Sequence, residues 1–569
     1  MQANYLVFII HYLYGMKKLL LLVFIFCFLF VNGQTWKWGK LEPIPSDPSP
    51  YYLDHIIASD NSGNIYFTND YNSTPNLVRF DQNGVLKWDI QASYCNGCSS
   101  SAVATYSGTA YLGGVFSFPF MVFGTDTIRN NAINLFIAKF DSIGLLKWIV
   151  PTTNRNIAAK VQTIATDRAG NVYATGWFYG SLGTFRIGND STKGSLNKMP
   201  FLMKFDMNGN PKWMRAGKSV IDSDIGIVNS LTVDNTGNVY ITGAYNGTVV
   251  FGSDTLQYFV NNNLAGPFNA FLVKYDSAGN VAWVWNSPIN SGKGSSTGVG
   301  LGVDQYDNVY LSGSFTSGTF TIGSQTFGPV TQITPYYSKF NSSGSVSWAK
   351  EVMELDTNIW GAVSLASDTL NNGYMLINCS SGDGSYALKL GTDTFKLKTS
   401  SRTADLLVEF DSSGKVKCGT MFTEGDEDDG DDINVSQSGQ YVYLTGDIVD
   451  TCIFGPDTIS GREAFFIASW LPCNPTIETG TKEILSNSNL TIFPNPSKGI
   501  FTIQSSAVSS QLSVEVYNIM GEKVFKETLR SAQGDNLINL SSEPSGIYFY
   551  RVSNEDGSLV GEGKVIVQK

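Results

Sequence analysis

The sequence predicts an all-β protein, a radial array of repeated antiparallel sheets followed by a small β-sandwich. Three observations carry this. One hairpin is written several times over at near-constant spacing. The composition, with 57 Gly, 13% aromatic and only 15% charged residues, suits turn-rich sheets. The last 80 residues, 490–569, change to short alternating strands.

The hairpin is clearest at 201–213, where an apolar run ending Lys204-Phe205 enters Asp206-Met-Asn-Gly209 and a second run carrying Trp213 leaves it. Near copies lie at 271–283 and 136–148, and looser ones at 77–88 and 337–348. Asp closes a type I turn with its side chain, and Gly takes the left-handed conformation that strains any residue with a Cβ. Upstream in each unit stands a companion: an apolar strand, then Asp-x-x-Gly-Asn, then Val-Tyr and a small residue with Gly, as at 167–176 and 234–243. Its Tyr recurs as Tyr66, Tyr111, Tyr173, Tyr240, Tyr310, Tyr374 and Tyr443, so from Tyr111 onward the spacing stays between 62 and 70 residues. A fixed period of this kind marks a repeat architecture.

Each unit supplies four strands, with a short apolar hairpin such as 123–128, 251–256 or 454–459 inserted between the second and third. Strands that are apolar at successive positions, as in Phe201-Leu-Met203, have both faces covered, which suits a sheet sandwiched between two others. Four-stranded sheets repeated radially make a β-propeller, and seven units predict a seven-bladed one. The seventh unit lacks a fourth strand, because it runs into Leu471-Pro472-Cys473. The missing strand is expected at the other end, where Trp36-Lys37-Trp38 carries the Lys-Trp of a fourth strand with no first three before it. Joining last to first removes open sheet edges.

At 569 residues the chain exceeds one hydrophobic core. A net charge of −11 without a basic stripe excludes nucleic acid as a partner. Met16-Lys17-Lys18, the apolar run 19–31 and Asn32-Gly33 have the three regions of a secretory signal, with Met16 as the expected start and cleavage near Gly33. Thirteen apolar residues are too few for a membrane span, so no transmembrane span is expected in the mature chain. Cys27 lies inside the apolar run behind bulky Phe26, which disfavours a lipid anchor. The expected domains are a signal peptide 1–33, the propeller 34–473, a polar linker 474–489 and a C-terminal domain 490–569.

The repeat units resemble the SBBP-type β-propeller repeat of bacterial exported proteins, closely in units three to five and loosely in units two and six, where Cys418 replaces the Trp. The C-terminal domain carries Phe493-Pro494-Asn495-Pro496, Val516-Tyr517-Asn518 with Gly521, Pro544-Ser-Gly546-Ile-Tyr548 and a final Lys564-Val-Ile-Val567-Gln-Lys569. In that order the motifs resemble the type A C-terminal sorting domain of the type IX secretion system of Gram-negative bacteria. The resemblance implies an Ig-like sandwich, the type IX secretion machinery as partner, and a protein that is secreted or held at the outer-membrane surface.

Six of the seven cysteines remain after the signal is removed, so disulfides are expected. Cys95 and Cys98 read as a short structural bridge, a redox pair or two thiols. Pairing among Cys379, Cys418, Cys452 and Cys473 stays open. The acidic run from Glu424 to Asp432 invites calcium, since hard cations want clustered carboxylates. Its glycines fall outside the calcium-loop pattern, and a solvated loop is the competing reading. The recurrent Asp-x-x-Gly-Asn is explained by turn chemistry without an ion.

No catalytic, cofactor or metal residue is assigned. His55, the one histidine of the mature chain, has no Ser or Cys motif beside it. Asp222, Asp224, Glu351 and Glu354 could supply the paired carboxylates of a glycoside hydrolase, yet acidic loop residues are common in a chain with 49 Asp and Glu. The tight Asp-x-x-Gly turns must share one face of the array, while the long, variable links between units share the other with the inserts. Recognition sits on variable loops over a rigid scaffold, so Trp285, Trp360, Asp222, Asp224 and Glu351 are the candidate ligand-face residues, with packing inside the blades as the alternative for both Trp. The functional expectation is a non-enzymatic binding or adhesion module for a glycan or protein, the alternative a carbohydrate-active hydrolase or lyase.

Overall fold

The computed structural model describes residues 36–42, 56–473 and 490–569, apart from the segments 69–73, 95–97, 117–119, 125, 130–133, 153–156, 181, 220–224, 258–267, 288–293, 355–357, 382–383, 399–402, 423–429, 437–438, 449–450, 455–456, 461–463, 506–511, 519–521, 530–535 and 555–558. The expected signal peptide lies outside the described residues. Two compact units, Met1–Pro475 and Thr476–Lys569, make up the chain. All the regular elements among the described residues are strands, in agreement with the all-β class read from the sequence.

In the first unit the repeat appears as a series of four-stranded antiparallel sheets. Sheet one is Ile56–Ser59, Ile65–Thr68, Asn76–Phe80 and Leu86–Gln91; sheet two is Ser99–Tyr106, Thr109–Phe116, Asn134–Phe140 and Leu146–Pro151. Sheet three is Ala158–Thr166, Val172–Tyr179, Met199–Phe205 and Pro211–Ala216; sheet four is Ile225–Val233, Val239–Asn246, Asn269–Tyr275 and Val281–Ser287. Sheet five is Ser296–Val303, Val309–Ile322, Gln325–Phe340 and Val346–Glu354, the last pairing onward with the hairpin Ser385–Leu390 and Asp393–Lys398. Sheet six is Asn358–Ser367, Gly373–Ser380, Thr403–Phe410 and Val416–Phe422. Sheet seven takes Gly430–Val435, Val442–Ile448 and Ala464–Trp470 from one end of the unit and Trp36–Glu42 from the other, with Trp38 opposite Ser469. The first strands touch in sequence from sheet one to sheet seven, and Gly430–Val435 touches Ile56–Ser59 in turn, so the contacts close a cycle.

The recurrent motifs are explained by the contacts between neighbouring sheets. Tyr173, Lys204 and Trp213 stand opposite one another across the second, third and fourth strands of sheet three, and Tyr240, Lys274 and Trp283 do the same in sheet four. The indole N–H points into the next sheet. Trp38 donates to the Gln82 carbonyl at 3.2 Å, Trp88 to Ser142 at 3.1 Å, Trp148 to Met207 at 3.1 Å, Trp213 to Ser277 at 3.3 Å, Trp283 to Ser342 at 3.1 Å and Trp348 to Ser412 at 2.9 Å. Each acceptor lies in the turn between the third and fourth strands of the following sheet. The Met207, Ser277 and Ser342 carbonyls also accept the ammonium of Lys139, Lys204 and Lys274, at 3.2, 3.0 and 3.1 Å, using the second lone pair. The turn glycine lies against the same ring. A Cβ on Gly209, Gly279 or Gly344 would come within 2.8, 2.9 or 2.7 Å of the preceding Trp, and all three residues have positive φ.

The other turn is a knot around one carboxylate. In Asp167-x-x-Gly170-Asn171-x-Tyr173, Asp167 accepts the backbone N–H of Ala169 and Asn171, both at 2.9 Å, the Asn171 amide at 2.7 Å and the Tyr173 hydroxyl at 3.0 Å. Asp234 and Asp368 repeat the pattern. These donors saturate the carboxylate, which accounts for the motif without a cation. Burial pushes the Asp234 carboxyl upward, but its donors outweigh that and hold it below the usual range. Tyr173 and Tyr443 then reach onward to the Gly237 and Gly63 carbonyls of the next sheet, at 3.4 and 3.2 Å.

Hydroxyls and amides join the first strands laterally. Thr105 Oγ1 donates to the Ser59 carbonyl and Thr166 Oγ1 to the Thr105 carbonyl, each at 2.8 Å. Asp432, in sheet seven, accepts Ser364 Oγ of sheet six at 2.7 Å and the Ile57 N–H of sheet one at 3.1 Å. Burial raises its carboxyl from 3.8 to about 6, although these donors and the Ile433 N–H pull the other way.

The second unit pairs a three-stranded sheet, Leu490–Phe493, Ile500–Ser505 and Asn536–Asn539, with a four-stranded one, Lys523–Leu529, Leu512–Tyr517, Gly546–Asn554 and Leu559–Val567. Phe501, Ile503, Val514, Val516, Tyr548 and Val565 are among its buried core residues. Asn495 ties the first motif to the last by accepting the Ile566 N–H at 2.9 Å and donating to the Lys564 carbonyl at 3.0 Å.

Two predictions follow from these contacts. Trp283→Phe keeps a ring but deletes the N–H, for a loss of about 1 kcal/mol. Gly344→Ala requires both a left-handed Cβ residue and displacement of the Trp283 ring, and should cost at least about 2 kcal/mol. Denaturant unfolding of both variants measures the order, and equal losses would contradict the double role of the glycine. Asp432 gives a pH dependence. Its carboxyl is raised in the folded state, so its contribution to stability falls as pH rises from about 4 to about 6 and is level above that. The Asp234 carboxyl, which is lowered, loses its contribution only as pH falls below about 4. Asp432→Asn should lessen the slope between pH 4 and 6 by about 2 to 3 kcal/mol, the rest belonging to other raised carboxyls such as that of Glu351, and unchanged curves in thermal unfolding would refute the assignment.

Candidate ligand-binding face

The first strand of each sheet runs toward a tight turn and the second runs away from it, so the end of the second strand lies at the end of the sheet opposite the tight turns. The interstrand links and the inserted hairpins Phe120–Phe123 with Asp126–Arg129, Thr184–Ile187 with Asp190–Lys193, Thr248–Phe251 with Asp254–Gln257, and Thr451–Phe454 with Asp457–Ser460 follow from that end.

The sequence candidates distribute unevenly over it. Trp285 lies on the fourth strand of sheet four, half-buried, with its ring edge-to-face on Phe340 of sheet five at 5.2 Å. That contact is packing between sheets. Glu351 lies on the fourth strand of sheet five opposite Tyr336, half-buried, and burial raises its carboxyl above the usual range. Trp360 belongs to the strand Asn358–Ser367, opposite sheet six's second strand. Asp222, Asp224 and His55 lie outside the described residues, as do the side chains of Glu354 and Trp360. Trp285 and Glu351 therefore come to neighbouring sheets, and among the described residues no wider cluster of the candidates forms.

A pair that sequence reasoning missed is better placed. Trp177 and Tyr179 end the second strand of sheet three, two residues apart and so on one side of it, with ring centroids 5.7 Å apart. Tyr179 is 40% exposed, and the Lys198 ammonium stands 4.2 Å from the centroid of the Trp177 ring. Phe178 between them points the other way, into the core against Phe185. The signal was in the alternation of Trp177-Phe-Tyr179, which puts two aromatics on the side opposite a buried one. A second aromatic group lies at sheet two, where Tyr94, 73% exposed, meets Phe120 at 6.0 Å with the Arg129 guanidinium 5.7 Å from that ring. Trp and Tyr offer an apolar body and a polar tip at a wet surface.

A cavity of about 440 Å³ lies between the fourth strands of sheets three and four, bordered by Ser191, Arg215, Lys218, Tyr275 and Asn280. Its guanidinium is already committed, since Arg215 donates to the Gly279 and Ala278 carbonyls at 2.7 and 3.1 Å. This is a further tie between sheets. Of the acidic run, Glu424 to Asp429 lie outside the described residues, and the Asp432 carboxylate turns inward to Ser364 and Ile57.

Cys418 and Cys473 form a disulfide with Cα atoms 6.0 Å apart. Cys98 is also disulfide-bonded, to a partner outside the described residues. Cys379 and Cys452 are buried thiols. Among the described residues, Glu409, Cys418 and Cys473 bring potential metal-ligating atoms within 4.8 Å of one another, but both sulfurs are spent in the disulfide. No helix among the described residues is long and apolar enough to cross a membrane.

Comparison with known proteins bears on the two units differently. The first unit is distantly similar to an uncharacterised WD repeat-containing protein of Acanthamoeba polyphaga mimivirus, 23% identical over 359 residues. That alignment covers 53% of this chain and 25% of the relative, so the chain spans about a quarter of the relative's length. Among solved structures, similarity extends to a fungal alcohol oxidase of the AA5 family, with 11% identity, 95% of this chain and 100% of that one covered, and a TM-score of 0.35. A protein of unknown function from Dyadobacter fermentans gives 8% identity, 78% and 100% coverage, and a TM-score of 0.33. TM-scores this low carry no functional inference. Residues 491–568 match the family described as secretion system C-terminal sorting domain. The clasp of Asn495 on the final strand and the sandwich core around Val514, Tyr548 and Val565 are the structural form of the motifs that carry that match. The C-terminal unit thus belongs to the sorting domains of type IX secretion, which direct the protein bearing them to secretion or to the cell surface.

Proposed function

We propose that this chain is an exported, seven-bladed β-propeller of the SBBP repeat type, carried by type IX secretion, whose loop-bearing face is a non-enzymatic binding or adhesion module for glycans. The seven sheets in cyclic contact support the blade count, and the sorting domain supports the route. The observation that carries the binding reading is the pair of half-buried Trp177 and exposed Tyr179 with Lys198 beside it. The C–H face of a sugar ring stacks on such rings while the Tyr hydroxyl and the ammonium meet its hydroxyls or a carboxylate. Trp285 is a scaffold residue in this reading, and Glu351 stays a candidate at the edge of the face. The raised carboxyl of Glu351 is what favours the alternative, a carbohydrate-active enzyme using it as general acid.

A screen of the full-length protein against environmental and host glycans separates the two. Ligand bound and recovered unchanged supports the module, and shortened chains that disappear in Glu351→Gln support the enzyme. For a bound glycan, replacing both Trp177 and Tyr179 with Ala should weaken binding at least tenfold while circular dichroism and thermal unfolding stay as in the parent. Undiminished binding would remove the platform from consideration. Export is tested apart from binding: deletion of residues 490–569 should leave the protein in the periplasm, and surface or medium levels equal to the parent's would refute the route.

A further inference from the structure

Six junctions between neighbouring sheets carry a Trp whose N–H enters the following turn. The junction from sheet six to sheet seven is built differently. Cys418 occupies the Trp position, and Glu409, opposite it, occupies the Lys position. On the sheet-seven side, Leu471-Pro472-Cys473 stands where the turn between third and fourth strands would be, because the fourth strand comes from the other end of the unit. Pro472 follows Trp470 by two residues, as the acceptors Gln82, Ser142 and Met207 follow Phe80, Phe140 and Phe205. The chemistry is replaced at each point: a disulfide joins Cys418 to Cys473, and Glu409 accepts the Cys473 N–H at 2.8 Å. Cys473 is also two residues short of Pro475, where the first unit ends and the chain leaves for the sorting domain.

We propose that the Cys418–Cys473 disulfide is a redox latch on ring closure, which takes the place of the indole contact at the junction that lacks it and holds the third and fourth strands of sheet seven against sheet six. In the reduced chain the junction keeps the Ser364–Asp432 bond and the Trp36–Phe422 ring contact but has no tie at the turn position, and sheet seven opens first. Closing the latch joins the two Sγ atoms, releases two protons and passes two electrons to an oxidised disulfide of the thiol–disulfide exchange class, which becomes a dithiol. Such partners belong to the oxidising side of an export pathway. Traction on the C-terminal unit is then borne by sheet six through the bridge instead of by Ala464–Trp470 alone.

Mass spectrometry of the exported full-length protein, digested without reduction, should show the peptides of Cys418 and Cys473 cross-linked. Two free thiols, or a zinc ion held with Glu409, would overturn the proposal. Hydrogen exchange supplies the functional readout. Reduction in place, or the variant C418S/C473S, should speed exchange at least tenfold in residues 464–470 and 36–42 and leave residues 199–216 of sheet three unchanged. The variant separates this bridge from that of Cys98, and reduction of the folded parent keeps the test intact if the variant does not fold. Exchange that rises equally in all sheets, or in none, would show that the bridge does not govern closure.

Discussion

The contact on which the first unit depends is a donation across the gap between sheets: an indole N–H, often joined by an ammonium, onto one turn carbonyl of the next sheet. A peptide carbonyl has two lone pairs, and at Met207, Ser277 and Ser342 both are used by a Trp and a Lys of the preceding sheet. Each such bond contributes on the order of 1 kcal/mol, and one carbonyl takes two of them. The turn therefore has to be short, to present the carbonyl, and its last residue has to be Gly, because the ring lies where a Cβ would be. One requirement thus selects Asp, Gly, Lys and Trp together, and the period of the sequence is the period of this contact.

The direction of the donation has a consequence for function. The six Trp that donate to a turn carbonyl all reach from their own sheet to the following one, and Tyr173 and Tyr443 do the same toward the other tight turn. The polar groups at that end are committed to holding neighbours together, with Asp167, Asp234 and Asp368 saturated by their own turns. At the other end the inserts differ from sheet to sheet, and Tyr94 and Tyr179 are exposed. A change of loop at that end does not disturb these contacts between sheets.

The same division explains what could be read from the sequence. Strand positions, turn types and the pairing of Trp36–Glu42 with the last unit follow from local pattern and from a missing fourth strand, which a linear sequence displays. Contacts between sheets are lateral and join residues about a repeat apart, so the motif recurs in the sequence without showing which residues meet. Trp285 was a candidate for the ligand face because it sits near a variable link, but its ring is spent on Phe340 of the neighbouring sheet. Trp177 and Tyr179 lie just past the motif that ends at Gly176, and the burial of Phe178 between them is what reveals the alternation. The cysteine pairing was open for the same reason. Cys418 at a Trp position was the available signal, and it becomes legible once the Trp positions are known to face the turn of the next sheet.

Closure has its own entropic problem, and the composition of the seventh sheet answers it. Bringing Trp36–Glu42 onto Ala464–Trp470 closes a loop of more than 400 residues, as the bond from the Gly39 N–H to Asp457, 418 residues away, illustrates. The cost of such a loop grows only with the logarithm of its length, so one strand's worth of contacts can offset it. Here those contacts include Trp36 against Phe422 and Phe454 at 5.2 and 4.7 Å, and Trp38 donating into sheet one. The N-terminal strand thereby restores the standard contact between sheets seven and one, but in doing so it leaves the third strand of sheet seven without a turn to offer sheet six. A Trp at position 418 would have found no such turn. A cysteine there, with another on the departing chain, makes the junction without one, and this is why the break in the repeat falls at sheet six and not at either terminus.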